Sequence, residues 1–379
     1  MLNKKILFLT GTRADFGKVS PLIKKLNNIN GYDYHIFVTG MHLLKVYGYT
    51  YIEVENEFPG KLTKYKNQSE KGDLTLDLIL AETIKGLNIC VKNYKPDLIV
   101  IHGDRVEALA GAAVGSLNNI LTAHIEGGEI SGTIDELIRH SISKLAHIHF
   151  VSNKRAALRL EQMGELSSSI FIIGSPDIDI MLSNELPSLK EVKQHYEIDF
   201  TSYSLFCYHP VTTEIGNVGH YMFNIVKALK KMKENFIIIE SNNDPGREII
   251  DNELKKLRDS SCFKFFPSLR HKYYLTLLKN CNFIIGNSSS GVREAPIYAK
   301  PSINLGTRQN NRHNHPTIIN ASENFESILD ARNSILNMKN MKPSYYFGHG
   351  NSADKFINSI VKRGFWLINI QKIFKDTLD

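Results

Sequence analysis

Three carboxylates near the middle of this sequence have the positions that acid–base chemistry would require. They are Asp104, Glu126 and Asp135. Asp104 and Glu126 follow apolar runs at residues 98–101 and 120–125, which are typical of buried parallel strands. Because ligands bind outside the carboxyl ends of such strands, we expect both side chains in one crevice. Asp135 precedes Arg139 by four residues on a helical pattern, so these two should share a helical face. Converging carboxylates push their pKa values apart, as acid–base catalysis requires.

The same residues also have simpler interpretations, which the sequence leaves open. Asp104 and Asp135 could each cap a helix, and Asp135 could form an ordinary surface ion pair with Arg139. Glu126 stands directly before two glycines, where a helix cap has no obvious use. The histidines nearby lack His-x-x-x-His spacing, so we predict core, capping or phosphate-facing roles for them and no metal site. They are His124, His140, His147 and His149.

The elements that must position these residues follow from an alternation of strand-length apolar runs and helical patterns. This alternation fills residues 1–178 and starts again in residues 179–357, which predicts two doubly wound, Rossmann-like α/β domains facing each other across a cleft. Residues 42–73 are polar and without periodicity, and we predict a mobile loop over the site. Residues 302–305 are predicted to be the last strand. A C-terminal helix at about 358–379 should pack back on the first domain.

Two strand-to-helix turns could bind phosphate groups through backbone N–H groups and polar side chains. The first contains Arg13, whose guanidinium group suits a phosphate. The second, residues 286–291, offers the hydroxyl groups of Ser288 and Ser289. Glu294 lies one to two helical turns further on, where it could accept hydrogen bonds from ribose hydroxyls. A structural turn, or a serine helix cap with a surface glutamate, is the simpler alternative.

Composition limits the class of protein. The length of 379 residues fits two domains, and 42% hydrophobic with 9% aromatic residues is ordinary for a globular protein. The four cysteines are dispersed without a motif, and we find neither a signal peptide nor a membrane-spanning run, so we predict a cytoplasmic protein. The net charge is +7, but basic residues alternate with acidic ones, which favours a phosphate-bearing small ligand over nucleic acid.

Six separated motifs resemble, in the same order, those of the hydrolysing UDP-N-acetylglucosamine 2-epimerases of bacterial sialic acid synthesis. They are TGTRADFGK (10–18), HGDRVEAL (102–109), HIEGGEISGTIDELIRH (124–140), HPVTT (209–213), GNSSSGVRE (286–294) and LGTRQ (305–309). The resemblance spans nearly the whole chain and implies a GT-B-like pair of domains. It implies conversion of UDP-N-acetylglucosamine and water to N-acetylmannosamine and UDP without a cofactor. A homodimer or larger homo-oligomer is also what the family suggests.

The resemblance further implies roles for individual residues. Asp104, Glu126 and Asp135 would be the catalytic carboxylates. UDP would be bound by Arg13, His209, Ser288, Ser289, Glu294 and Arg308. We place Arg105 and Asn242, which also follow predicted strands, in the same UDP-binding set. The segment GGEISGT after Glu126 differs from that of the non-hydrolysing relatives, which favours hydrolysis.

The chemistry of this reaction agrees with a cluster of carboxylates. Loss of UDP from C1 forms an oxocarbenium-like centre, which acidifies the proton at C2. A carboxylate then removes that proton to give 2-acetamidoglucal. Addition of a proton to the opposite face of C2 and of water to C1 gives N-acetylmannosamine. We assign these steps to the three carboxylates jointly, because the sequence does not distinguish which of them takes the C2 proton.

Other functions share part of this pattern. A hydrolysing 2-epimerase of UDP-2,4-diacetamido-2,4,6-trideoxyglucose would differ only in the pocket for C4 and C6 of the sugar. A non-hydrolysing epimerase would release no UDP. A GT-B glycosyltransferase would need an acceptor, and a non-catalytic sugar-nucleotide sensor would not need intact carboxylates.

Overall fold

The computed structural model describes residues 3–70, 74–131, 134–241 and 244–376. The chain divides into two units, which are Met1–Glu129 with Asp135–Asn184 and Tyr346–Asp379, and Ile130–Ile134 with Glu185–Tyr345. Each unit is a Rossmann-like α/β domain around a parallel sheet, so the predicted fold class of two doubly wound domains is confirmed.

The sheet of the first unit has the order β3-β2-β1-β4-β5-β6-β7 within the described residues. Its strands are β1 Lys4–Thr10, β2 Tyr32–Val38, β3 Leu62–Lys64, β4 Leu98–His102, β5 Leu121–Ile125, β6 Ile148–Val151 and β7 Ile170–Ile172. Strands β4 and β5 are buried at every position, and both consist mainly of apolar residues, although β5 also buries Thr122 and His124. The order reverses between β1 and β4, and ligand crevices in such sheets open at this switch point.

Helices connect these strands. They are α1 Arg13–Leu26, α2 Tyr51–Glu57, α3 Leu76–Tyr94, α4 Val106–Leu117, α5 Ile134–Leu145, α6 Lys154–Gln162 and α7 Asp177–Leu182. Helix α1 begins after Thr12, whose hydroxyl accepts a hydrogen bond from the backbone N–H of Asp15 at 3.2 Å. This cap fixes the turn from β1 into α1.

The second unit repeats the scheme, and its described strands have the order β10-β9-β8-β11-β12-β13. The strands are β8 Ser204–Cys207, β9 Phe236–Ile239, β10 Phe263–Phe266, β11 Ile284–Gly286, β12 Ser302–Leu305 and β13 Ile318–Ala321. The helices are α8 Leu189–His195, α9 Ile215–Met232, α10 Arg247–Leu254, α11 His271–Asn280, α12 Ser290–Arg293 and α13 Phe325–Leu336.

The predicted mobile loop is wrong for the described residues of that segment. Residues 42–70 contain helix α2 and strand β3, and β3 pairs in parallel with β2 at the edge of the sheet. Within α2 only Val54 is buried, and β3 is three residues long and partly exposed. Neither element therefore has the apolar periodicity from which a helix or strand can be predicted.

Residues 302–305 do form strand β12, but the prediction that it is the last strand is wrong. Strand β13 follows it and pairs with it in parallel. Its burial is partial at most, as expected of an edge strand, so it lacks a buried apolar run. The predicted helix through Arg293 and Glu294 is also shorter, because α12 ends at Arg293 and gives way to the 3-10 turn Ala295–Tyr298, which contains Pro296.

The C-terminal helix begins earlier and is shorter than the predicted 358–379. Helix α14 covers Ser352–Ile360 and is followed by the 3-10 turn Arg363–Leu367, while residues 368–376 have no helix or strand. Phe356 of α14 packs against Phe150 of β6, with ring centroids 5.0 Å apart. The tail therefore belongs to the core of the first unit even though it is not one long helix.

Lys372 anchors this tail to the first unit. Its ammonium group lies 2.6 Å from the Glu165 carboxylate and donates hydrogen bonds to the carbonyls of Ser143 (3.0 Å) and Ala146 (2.6 Å), at the end of α5. We expect Lys372→Met to lower the free energy of unfolding by about 1–3 kcal/mol, the usual cost of losing hydrogen bonds to a charged group. Urea unfolding would measure the change.

Lys375→Met is the matched control for this variant, because Lys375 lies in the same tail with an exposed side chain. It should change the free energy of unfolding by less than about 0.5 kcal/mol. Equal free energies of unfolding for the two variants would contradict the proposal that Lys372 anchors the tail.

Candidate active site

Asp104 and Glu126 lie at the same edge of the first sheet. Strands β4 and β5 pair in register with His102 opposite Ile125, so the turns after them begin side by side. The backbone N–H of Gly103 also donates to the carbonyl of Ile125 at 3.1 Å. The sequence-based expectation that two neighbouring strands end at these carboxylates therefore matches the structure.

Asp104 binds the guanidinium group of Arg139 and is not the N-cap residue of the helix that follows it. The N-cap residue of α4 is Arg105. Arg139 is 1% exposed, donates from Nη2 to Asp104, and donates from Nη1 to the carbonyl of Glu129 at 3.1 Å. Burial would lower the pKa of Arg139, but the negative charges of Asp104, Glu129 and Asp135 raise it. A buried guanidinium group thus holds the Asp104 carboxylate in place.

Asp135 lies in the first turn of α5, one turn before Arg139. The simple surface ion pair is therefore not what the structure shows, because Arg139 is buried and also binds the Asp104 carboxylate. Asp135 acts on Arg139 through its charge. One buried arginine thus interacts with both aspartates that the sequence singled out.

Glu126 is more enclosed than the two aspartates and is held by several side chains. It is 5% exposed, and its backbone has a φ of +65°, an uncommon conformation for a residue with a side chain. Lys18 Nζ lies 3.1 Å and 3.3 Å from its two carboxylate oxygens, and His102 Nε2 lies 3.1 Å from Oε2. The hydroxyl of Ser175 donates to Oε1. Left-handed residues cluster at functional sites, which makes Glu126 a strong candidate.

Sequence reasoning missed the residues that hold Glu126. Lys18 also lies 3.1 Å from a carboxylate oxygen of Asp177, and Ser175 Oγ lies 2.5 Å from Asp177 Oδ1. In the sequence, Lys18 stands out only as part of the motif at residues 10–18, and Ser175 and Asp177 lie at the end of the first α/β alternation, residues 1–178. One signal was available, because Asp15 and Lys18 are three residues apart on α1 and so face the same side of that helix.

The two arginines predicted for the first unit both lie next to carboxylates. Arg13 donates to Glu53 of α2 with N–O distances of 2.5 Å and 3.2 Å. Arg105 Nε lies 3.4 Å from a carboxylate oxygen of Glu107. Each side chain is about one-fifth exposed, so neither is sealed in the interior.

Histidines next to the site belong to the core. Both ring nitrogens of His124 are engaged, Nε2 with the Gly103 carbonyl at 2.7 Å and Nδ1 with Ser143 at 3.3 Å. Burial lowers the pKa of His124 to about 3 and that of His42 to about 4, so both are neutral. Within the described ranges, His, Cys, Asp and Glu side chains form no group of three or more suited to a metal ion.

In the second unit, the ends of β8 and β11 are joined through Asn287. Its side-chain oxygen accepts from the backbone N–H of His209 at 2.7 Å, and its amide donates back to the His209 carbonyl at 2.8 Å. Arg308 Nη1 and the Gln309 amide donate to the Asn287 carbonyl at 3.3 Å and 3.1 Å. The structure thus brings His209, Arg308 and the Ser288–Ser289 turn together at one sheet edge.

The serine turn does not follow the simple helix-cap interpretation. Ser289 is the N-cap residue of α12, but in the described part of the chain its hydroxyl makes no capping hydrogen bond. Ser288 Oγ lies 3.4 Å from the backbone N–H of Ser290. Glu294 is 8% exposed and is therefore not a surface glutamate. Asn242, the remaining predicted residue, lies outside the described residues.

Two doubly wound domains with polar residues gathered at the carboxyl ends of parallel strands define a two-domain Rossmann-like protein. The family model described as UDP-N-acetylglucosamine 2-epimerase matches residues 24–361, and the chain belongs to this family.

Known proteins support this assignment along the whole chain. The chain is 46% identical to a UDP-N-acetylglucosamine 2-epimerase of Neisseria meningitidis serogroup B, over 98% of this chain and 99% of that protein. It is 31% identical to a UDP-N,N′-diacetylbacillosamine 2-epimerase (hydrolyzing) of Legionella pneumophila, over 93% and 94% of the two chains. The UDP-GlcNAc 2-epimerase of Methanocaldococcus jannaschii, solved in complex with UDP-GlcNAc and UDP, superposes with a TM-score of 0.81. That chain is 23% identical and is covered to 99%, against 94% of this chain, and it shows the shared fold.

Of the helices that the structure describes, none combines the length and the apolar character that a membrane span requires.

Proposed function

We propose that the protein is a hydrolysing UDP-N-acetylglucosamine 2-epimerase, which converts its substrate and water to N-acetylmannosamine and UDP. The observation that carries this proposal is the pair of carboxylates at adjacent strand ends, Asp104 on buried Arg139 and Glu126 on buried Lys18. In a chain of this family, such a pair suits the acid–base and electrostatic steps of a 2-epimerase.

The proposed reaction begins with cleavage of the bond between C1 and the diphosphate oxygen, whose electron pair leaves with UDP. The C2–H electron pair then forms the C1=C2 double bond of 2-acetamidoglucal, and a carboxylate takes the proton. A proton is next added to the opposite face of C2, and water attacks C1 with loss of its own proton. We assign these proton transfers to the set Asp104, Glu126 and Asp135.

We also propose the residues that bind UDP. They are Arg13, Arg105, His209, Asn242, Ser288, Ser289, Glu294 and Arg308. Guanidinium groups and serine hydroxyls are suitable donors to phosphate oxygens, and the buried Glu294 carboxylate is suited to ribose hydroxyls. These groups would stabilise the negative charge that develops on the leaving diphosphate.

Hydrolysis rather than simple epimerisation is supported by the name of the Legionella relative and by the segment after Glu126. The name of the same relative also supports a second candidate substrate, which is a UDP-linked 2,4-diacetamido-2,4,6-trideoxy sugar. We favour N-acetylglucosamine because the Neisseria relative, which is more similar to this chain, is named for it.

We further propose a cytoplasmic homodimer or larger homo-oligomer that supplies N-acetylmannosamine for sialic acid synthesis.

Proton NMR of the protein with UDP-N-acetylglucosamine in deuterated water tests this function. We expect free UDP together with N-acetylmannosamine that carries deuterium at C2, because the proton lost from C2 is replaced from solvent. UDP-N-acetylmannosamine without free UDP would show a non-hydrolysing epimerase. An unchanged spectrum, followed by turnover of the 2,4-diacetamido substrate, would show the second candidate function instead.

A further inference from the structure

His102 lies between two carboxylates in the first unit. Its Nδ1 atom lies 3.2 Å from Oδ1 of Asp15, and its Nε2 atom lies 3.1 Å from Oε2 of Glu126. The three residues come from different elements, since Asp15 is on α1, His102 ends β4 and Glu126 follows β5. All three side chains are at least mostly buried. The histidine therefore joins the helix to the strand end that carries Glu126.

This geometry determines where the protons are. An ionised carboxylate only accepts hydrogen bonds, whereas a neutral imidazole has one N–H donor for its two nitrogens. Two carboxylate neighbours therefore favour an imidazolium ion that donates from both nitrogens. Burial alone would lower the pKa of His102, but the hydrogen bonds and charges of Asp15 and Glu126 raise it to about 9. Burial would raise the pKa of Asp15, but His102 lowers it.

Glu126 receives a second cation from the opposite side. Lys18 Nζ lies within 3.3 Å of both carboxylate oxygens, and the Ser175 hydroxyl donates to Oε1. Together with the contact of His102, these contacts engage both carboxylate oxygens of Glu126 as hydrogen-bond acceptors. Protonation of Glu126 would have to disrupt this arrangement. Asp104 differs, because its side chain is 26% exposed.

We propose that His102, as an imidazolium ion held by Asp15, is a positioning residue that fixes Glu126 as a permanent carboxylate, so that Asp104 and Asp135 exchange the C2 proton. This inference rests on the proposed function and narrows its assignment of the proton transfers from the three carboxylates to Asp104 and Asp135. Glu126 then contributes a fixed negative charge rather than a proton acceptor. The charged and titratable groups around His102 and its partners include Asp15 and Lys18 of α1, His42, Arg105 before α4, His124 of β5, Glu126 and Asp177.

The first test is the pH dependence of kcat/KM for His102→Gln. The wild-type value should fall above pH about 9, as His102 loses its proton. In His102→Gln the fall near this pH should be absent, and kcat at pH 7.5 should be about 10- to 100-fold lower with little change in KM. A glutamine amide reaches Glu126 as a donor but carries no charge. An unchanged alkaline fall in the variant would overturn the proposal.

His149→Gln is the matched control, because His149 is also buried and also bonds a carboxylate, that of Glu165, at 3.0 Å. His149 lies outside the proposed site, so kcat/KM of His149→Gln should still fall above pH about 9, as in the wild-type protein. Loss of the fall in this control as well would mean that any buried histidine produces it, and the assignment to His102 would be wrong.

A second measurement does not depend on turnover and so separates this inference from the proposed function. In the protein labelled with ¹⁵N-histidine, the signals absent from His102→Gln identify His102. At pH 7.5 both of its ring nitrogens should have chemical shifts of protonated nitrogens, and they should titrate near pH 9. A shift pattern of a neutral tautomer at pH 7.5 would overturn the proposal whichever substrate the enzyme takes.

Discussion

Asp104→Asn will lower kcat about 100- to 10,000-fold, the usual contribution of a positioned acid or base, while the affinity for UDP stays near the wild-type value. Asparagine has nearly the shape of aspartate and still offers an oxygen to Arg139, but it cannot take up a proton. The proposed UDP-binding residues do not include Asp104, so binding of the product should survive. Release of UDP measured in a coupled assay gives kcat, and calorimetric titration with UDP gives the affinity.

The control for Asp104→Asn has to separate catalysis from folding. Arg139 is buried and would lose one charged partner, although Glu129 and Asp135 still act on it. Thermal unfolding of the variant should therefore show a folded protein with somewhat lower stability. Asp199→Asn makes the same chemical change at a side chain that is 81% exposed, and it should leave kcat unchanged. Near-normal kcat for Asp104→Asn would remove this residue from the mechanism.

The features that sequence predicted well are those with a local physical signature. Buried parallel strands such as β4, β5 and β8 consist mainly of apolar residues, and the residue type changes where each strand ends. That change identified Asp104 and Glu126, because carboxylates rarely follow such runs without a reason. The edge strands β3 and β13 have no such signature, since no residue of either is fully buried and neither is longer than four residues.

The partners of the site residues could not be predicted, because they are distant in sequence. Lys18 meets Glu126 from 108 positions away, and Ser175 meets it from 49. No periodicity connects such positions, and only the closure of the sheet and the docking of α1 bring them together. Arg139 is a further example, since spacing indicated only Asp135 as its partner, whereas the fold also brings the Asp104 carboxylate, 35 positions away, to its guanidinium group. A local pattern predicts which residues share a face, but tertiary packing decides which of them touch.

Gly286→Ala should destabilise the second unit more than any other glycine-to-alanine change at this sheet edge. Gly286 has a φ of +138°, which residues with a side chain rarely adopt. A Cβ atom there would lie 1.9 Å from the backbone carbonyl oxygen of Cys207, its partner in β8. Because backbone atoms cannot rotate away as a side chain can, β8 and β11 would have to separate. We expect a loss of more than about 3 kcal/mol in the free energy of unfolding.

The separation of these strands would also break the double hydrogen bond between Asn287 and the backbone of His209, since both depend on the same strand ends. UDP affinity should therefore fall together with stability if the turn after β11 binds UDP as proposed. Urea unfolding and UDP titration of Gly286→Ala measure the two effects. Gly216→Ala is the matched control, because Gly216 lies in α9 with open space around its Cβ position, and alanine there should be neutral or stabilise by up to about 1 kcal/mol. If Gly286→Ala unfolds at the same urea concentration as Gly216→Ala, the close approach of β8 and β11 is not what makes glycine necessary at this position.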